Sequence, residues 1–145
     1  MPHLTIQLSP GGPVLDVRIG VSTARAQALS QAGKLVPTPV TIRGLVDTGA
    51  SCTCIDPSVI ASLGISPRGV TPMLTPSTGE QPHQANLYDV SLVLLHPNLS
   101  LSLNNVAVAE SQLAVQGIQA LIGRDVLGSC LLVYDGQSGF FTLAF

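Results

Sequence analysis

Short apolar stretches separated by turn-forming residues run through the whole sequence. Val, Leu, Ile and Thr dominate these stretches, which Gly, Pro, Asn and Asp interrupt, and the 145 residues include 14 Gly and 11 Pro. β-Branched residues between turn residues favour strands over helices. The chain is 46% hydrophobic and 10% charged, which is typical of a compact fold rather than of disorder. The sequence therefore predicts a mostly β protein with a single domain over residues 1–145.

The charge pattern and the apolar pattern exclude two classes of partner. The formal net charge is −2, the basic residues form no cluster, and aromatic residues make up 3% of the chain. Such a chain has little with which to neutralise phosphates or stack on bases, so no nucleic acid partner is expected. The first residues lack a basic leader region, and no segment reaches the roughly 18 apolar residues of a membrane span. We therefore expect no membrane span and a cytoplasmic location.

Cysteine and histidine positions argue against a metal site. Cys52, Cys54 and Cys130 are an odd number of cysteines, which predicts reduced thiols rather than a disulfide framework. A structural zinc site needs four ligands, and no second Cys or His pair accompanies Cys52 and Cys54 in the sequence. The three histidines are scattered, which is typical of surface residues. No phosphate-binding glycine loop is present. We expect neither a metal nor an organic cofactor.

The first 36 residues contain two predicted strands and one ambiguous segment. Polar and apolar residues alternate over 3–8 and 13–21, which predicts two strands joined by a Pro- and Gly-containing turn. Residues 22–36 are either a helix, with Ser22 as its cap and Gly33 after its end, or a flexible insertion.

Later segments predict a short helix, a projecting hairpin and a terminal pair of strands. Asp56 is a suitable cap, Pro57 suits the first helical position, and Gly64 suits the end of that helix. Residues 70–96 contain two extended segments around a polar tip, which predicts a hairpin. Residues 131–145 predict two strands about a Gly-containing turn.

Two stretches contain the residues with potential chemistry. The sequence GLVDTGAS, residues 44–51, places Asp47 in a small-residue turn directly after an apolar strand. Asp-Thr-Gly turns often only satisfy backbone groups, so this turn alone is a weak signal. A second stretch, ALIGRDVL at 120–127, combines two apolar residues, a glycine, an arginine and an aspartate.

Together these stretches resemble the retropepsin-like, single-lobe aspartic proteases of the retroviral type, and the resemblance covers nearly the whole chain. It implies an all-β fold, a closed barrel or sandwich with a flap hairpin at 70–96 and one or two short helices. It also implies a two-fold homodimer acting as an aspartic endopeptidase on extended polypeptides. In that arrangement Asp47 and its symmetry mate share one proton and activate a water.

The resemblance also assigns roles to the surrounding residues. Thr48 would bond across the dimer, and Gly49 would allow close approach of backbone or substrate. Residues expected to bind substrate are Ala50, Ser77, Thr78, Gly79, Leu121 and Ile122. Residues expected to give structural support are Ser51, Gly123 and Arg124.

Position 51 departs from the pattern of the viral members. Those proteases usually carry an aspartate there, which pairs with an arginine like Arg124, whereas this chain has Ser51. An arginine at this position needs a carboxylate or carbonyl partner, because burying it unpaired is costly. Asp125 is expected to act locally, for example at a helix terminus.

Two other functions are compatible with the sequence. One is a non-catalytic peptide-binding or assembly module with the same fold, and the other is a half-lobe that needs another chain. The terminal segments at 3–8 and 139–145 are implied by the resemblance to lie at the subunit interface. Their alternation is equally compatible with strands of the lobe's own sheet.

Overall fold

The computed structural model describes residues 1–75 and 79–145. The described part contains ten strands, three α-helices and one 3₁₀ turn. The strands are β1 (His3–Gln7), β2 (Val14–Val21), β3 (Val40–Val46), β4 (Cys54–Ile55), β5 (Gly69–Met73), β6 (His83–Leu94), β7 (Leu101–Glu110), β8 (Ala120–Ile122), β9 (Leu131–Asp135) and β10 (Phe140–Ala144). The helices are α1 (Thr23–Gln31), α2 (Pro57–Leu63) and α3 (Arg124–Leu127), and the 3₁₀ turn is Ala114–Gln116.

Six strands close into a barrel. They are hydrogen-bonded in the order β2-β3-β8-β4-β7-β6, and pairing of β2 with β6 completes the ring. Closure removes the free edges that an open sheet would leave. The prediction of a mostly β chain with a closed barrel is confirmed. The sequence predicted one or two short helices, and the third, α3, forms where ALIGRDVL indicated only a brief helical turn.

The barrel core is built from alternate residues of its strands. In β2, Val17 and Ile19 are fully buried whereas Asp16 and Arg18 are exposed, as expected when successive side chains point to opposite faces. Side chains from β6 and β8 fill the same interior, including Leu92 and Ile122. The inside of the barrel is therefore filled with side chains and does not form an open channel.

The terminal strands form a second, three-stranded sheet in the order β1-β10-β9. β1 pairs with β10 in the same chain, with Thr5 opposite Thr142. Phe141 and Leu143 of β10 are buried and pack against the barrel core. The terminal segments are thus strands of the lobe's own sheet, and β9 is an outer strand of that sheet.

Two segments outside the barrel have simple local explanations. Ser22 accepts a hydrogen bond from the Arg25 backbone N–H and so caps α1, a helix with no buried residue. Strands β5 and β6 form the arms of the hairpin, with Met73 opposite His83. At its tip Gly79 has a φ of 62°, a conformation that favours glycine, while Ser77 and Thr78 lie outside the described residues. Within the described ranges, no helix has the length and hydropathy needed to cross a bilayer.

Candidate active site

Strands β3 and β8 place the aspartate turn at one end of the barrel. They run parallel, with Val46 opposite Ile122, and the Asp47 backbone N–H donates to the Ile122 carbonyl at 3.0 Å. Close packing of the two strands depends on Gly44, because a Cβ there would lie 3.1 Å from the Ile122 side chain. The Asp47 turn therefore begins where β3 leaves the barrel, beside the end of β8.

Hydrogen bonds within the turn orient the Asp47 carboxylate. The side-chain Oδ1 of Asp47 accepts from the Gly49 backbone N–H at 2.9 Å. The backbone carbonyl of Asp47 accepts from the Ala50 N–H at 3.2 Å and closes the turn. A Cβ at Gly49 would lie 3.1 Å from Oδ1, so glycine allows the loop to approach the acid closely. Asp47 is half-buried, whereas Thr48 and Gly49 are exposed. The acid is held in one orientation and still accessible.

Arg124 connects the turn to helix α3. Its Nη1 donates to the Thr48 carbonyl at 2.8 Å and to the Gly49 carbonyl at 3.3 Å. The Arg124 backbone N–H donates to the Ala50 carbonyl at 2.9 Å. The arginine thus has carbonyl partners in the turn, while Ser51 is exposed. Arg124 therefore holds the turn through backbone carbonyls, and this contact does not need the aspartate that the viral members carry at position 51.

A buried hydroxyl two residues after the Asp47 stretch bonds to the second stretch, residues 120–127. The Thr53 Oγ1 donates to Asp125 at 2.8 Å and accepts from the Gly123 N–H at 3.1 Å. Asp125 also accepts from the backbone N–H groups of Thr53 and Val126, both at 2.9 Å. Asp125 therefore acts at the start of α3 and beside β4. Gly123 permits this packing, because a Cβ there would lie 2.6 Å from the Cys52 carbonyl carbon.

Sequence reasoning did not single out Thr53, although the residue is fully buried. The available signal was a hydroxyl residue between Cys52 and Cys54 in an otherwise apolar segment. Its role depends on Asp125, which is 72 positions away.

The turn opens into a cleft of about 930 Å³. One wall contains Asp47, Ala50 and Leu121, and the other contains the end of the β5 arm, including Met73. Cys52 and Cys54 also line it. The cleft therefore combines one oriented carboxylate with apolar walls.

Ile122 does not line this cleft, in contrast to the expectation that it binds substrate. Ile122 is fully buried in the barrel core, whereas Leu121 faces the cleft. The physical reason is that neighbouring residues of a strand point to opposite faces. Gly79 is exposed at the hairpin tip and is not among the residues that form the cleft walls.

The described residues form no cluster suited to a metal ion. In ranges 1–75 and 79–145, no three His, Cys, Asp or Glu side chains lie together as candidate ligands.

Comparisons with known proteins agree on a family. A family model described as aspartyl protease matches residues 31–126, a range that includes both the Asp47 turn and Arg124. The crystal structure of a retropepsin-like aspartic protease from Rickettsia conorii is similar, with a TM-score of 0.63 and 16% sequence identity. The alignment covers 99% of this chain and 90% of that chain. Comparison with curated protein sequences finds no significant match. The chain thus belongs to the aspartyl protease family and has the retropepsin-like fold.

Proposed function

We propose that the protein is an aspartic endopeptidase whose active site forms when Asp47 from two copies of the chain meets across a two-fold axis. The observation that carries this proposal is the Asp47 carboxylate, oriented by the Gly49 N–H at 2.9 Å and accessible from a cleft of about 930 Å³. The described chain contributes one such turn, so a second copy supplies the second acid. Closed two-fold symmetry brings identical surface patches together.

The chemistry requires two carboxyl groups in different protonation states. Two carboxylates in contact cannot both ionise cheaply, and shared protonation is the established behaviour of aspartic-protease dyads. The ionised Asp47 takes a proton from water as the water attacks a peptide carbonyl. The protonated Asp47 donates to the oxygen on which negative charge develops. Thr48 lies in the same exposed turn, where its hydroxyl is available to a partner chain.

An extended peptide suits the shape and chemistry of the cleft. Strand β5 pairs with β6 along one edge, and its other edge carries no strand within the described residues. A peptide in strand conformation can add to such an edge through main-chain hydrogen bonds. Met73 and Leu121 face the same cleft, so we infer a preference for apolar side chains next to the cleaved bond.

Strand β9 is the surface that we assign to the homodimer. β10 lies between β1 and β9, so β9 is one of the two edges of this sheet, and it is the strand that follows α3 in the chain. Leu131, Val133 and Tyr134 are 57%, 50% and 58% exposed, respectively. An apolar edge strand favours pairing with another strand. Residues 131–134 carry no charge, and antiparallel pairing about Val133 would place Asp135 of one copy opposite Leu131 of the other, so like charges would not face each other.

Cleavage of a diverse peptide pool, followed by mass spectrometry at several pH values, tests the proposed function. The wild-type protein is expected to cleave, and Asp47→Asn is expected to lose activity by a factor of about 10² to 10⁴. Asp16→Asn is the matched control, because Asp16 is an exposed acid on β2. Cleavage by Asp47→Asn at the wild-type rate would contradict the proposal. Peptide binding without cleavage by the wild-type dimer would instead support a binding module.

A further inference from the structure

Two thiols line the cleft that contains Asp47. Cys52 and Cys54 are both free, and both contribute to the cleft wall. Cys52 is half-buried, whereas Cys54 is 3% exposed. The proposed hydrolysis uses neither thiol. Their position beside the catalytic turn makes them a candidate site of modification.

The backbone keeps the two thiols close together. The chain bends at Ser51 and Cys52 before it enters β4. Residues two apart in the chain are separated by at most about 7 Å between Cα atoms. Disulfides span Cα separations of about 4.4 to 6.8 Å. The Cys54 Sγ donates to the Cys52 backbone carbonyl oxygen at 3.8 Å, so the Cys54 thiol lies beside the backbone of Cys52.

We propose that Cys52 and Cys54 form a reversible disulfide under oxidation by a peroxide, and that this bond inactivates the cleft. The inactivation rests on the proposed peptidase function, whereas formation of the bond does not. The site is thus a redox modification site within the substrate cleft.

Cys52 is the thiol that reacts first. Burial, followed by the neighbouring Cys52 and by the charges of Asp125 and Asp47, raises the pKa of Cys54 to about 12. Cys54 therefore stays protonated near neutral pH, and Cys52, the more exposed of the two, is the thiol that peroxide reaches first.

The chemistry balances with hydrogen peroxide as the oxidant. The Cys52 thiolate attacks one peroxide oxygen, the O–O bond breaks, and Cys52 becomes a sulfenic acid as hydroxide leaves. The Cys54 sulfur then attacks the Cys52 sulfur, and the S–S bond forms as the sulfenic oxygen and the Cys54 proton leave as water. A dithiol reductant reverses the oxidation by thiol–disulfide exchange.

Formation of the bond disturbs the residue between the two cysteines. Thr53 holds Asp125 through its N–H and its hydroxyl, and it accepts from the Gly123 N–H. Drawing Cys52 towards Cys54 rotates the backbone on both sides of Thr53 and moves the cleft wall. Misplacement of about 1 Å near a catalytic group costs about a hundredfold in rate, so we expect a loss of that size.

Exposure of the homodimer to graded hydrogen peroxide tests the inference. Intact mass spectrometry is expected to show a loss of two hydrogen atoms per chain, and peptide mapping is expected to place the bond between Cys52 and Cys54. Peptide cleavage is expected to fall by about a hundredfold and to return with dithiothreitol. Cys130→Ser is expected to behave like the wild type, because Cys130 does not line the cleft.

The serine variants separate this reaction from general oxidative damage. Cys52→Ser and Cys54→Ser are expected to form no disulfide. Peroxide is expected not to reduce the cleavage rate of Cys52→Ser reversibly, whereas Cys54→Ser is expected to stop at the Cys52 sulfenic acid, seen as a gain of one oxygen atom by mass. A disulfide with a different pairing, or unchanged cleavage in the cross-linked protein, would overturn the inference. Absence of cleavage by the fully reduced wild type would instead count against the proposed function, and the mass measurement would still test the bond.

Discussion

The guanidinium of Arg124 donates to the carbonyl oxygen of Thr48 at 2.8 Å, so the start of helix α3 holds the Asp47 turn. The same nitrogen reaches the Gly49 carbonyl at 3.3 Å. Arginine suits this position because its planar group presents several donors in a fixed geometry. The contact links the Asp47 turn to α3, and through α3 to the β9 edge.

Replacing Arg124 is therefore expected to reduce activity more than stability. Arg124→Met removes the donors to the turn, and we expect kcat/KM for peptide cleavage to fall by about tenfold to a hundredfold. The free energy of unfolding should fall by about 1 kcal/mol. Arg68→Met is the matched control. Arg68 forms an exposed ion pair with Asp89 at 3.0 Å, and this ion pair does not involve the Asp47 turn. Equal cleavage rates in the two variants would contradict a role for Arg124 in positioning the turn.

Asp56 makes stability depend on pH in the acidic range. Burial alone would raise its pKa, but hydrogen bonds from Ser58, Leu113 and Ala114 lower the pKa from 3.8 to about 2. The folded state therefore binds fewer protons than the unfolded state between these values. The resulting stabilisation, about 2 kcal/mol, is fully present above about pH 4 and is lost as the pH falls towards 2.

Asp56→Asn is expected to remove this part of the pH dependence. Asn cannot ionise, so the variant should be less stable at pH 7 and should lose less stability on acidification. Urea unfolding at fixed protein concentration from pH 7 to pH 2 measures both effects. Asp16→Asn, at an exposed position of β2, provides the control. A wild-type stability curve parallel to that of Asp56→Asn across this range would argue against the hydrogen-bond explanation.

The β9 edge predicts which substitution separates the subunits. Val133 is 50% exposed at the centre of β9, and pairing of two copies about that residue would bring two added carboxylates together. Val133→Glu is expected to give monomers by light scattering and to lose peptide cleavage. Thr5→Glu adds the same charge on β1, at the opposite edge of the sheet, and should remain dimeric. An active dimer of Val133→Glu would place the interface elsewhere.

Local signals in the sequence predicted the capped helix α2 and gave a capped α1 as one of two alternatives, because a cap involves residues close in the chain. Asp56 accepts from the Ser58 N–H at 3.0 Å, and Gly64 ends α2 with a φ of 61°. Ser22 and Gly33 likewise lie at the two ends of α1. The pairing that closes the barrel, β2 with β6, joins strands about 70 residues apart, and no local pattern specifies such a partner.

The candidate site was predicted in part. The sequence indicated Asp47 and Arg124 because both lie in recognisable stretches, and the structure brings those stretches together. It did not distinguish Leu121 from Ile122, since a strand of three residues gives too short a pattern to reveal which side faces the core. Thr53 was missed for a different reason, because its importance comes from a distant hydrogen-bond partner.

Subunit mixing shows whether one active site uses Asp47 from two chains. Wild-type protein and Asp47→Asn are unfolded and refolded together, so that the chains pair at random, and cleavage is measured per wild-type chain. Since a mixed dimer has only one acid of the pair, activity per wild-type chain is expected to fall to about half in an equimolar mixture and to about a tenth with a ninefold excess of the variant. Activity per wild-type chain that stays constant, in mixtures shown by mass spectrometry to contain mixed dimers, would contradict the shared site.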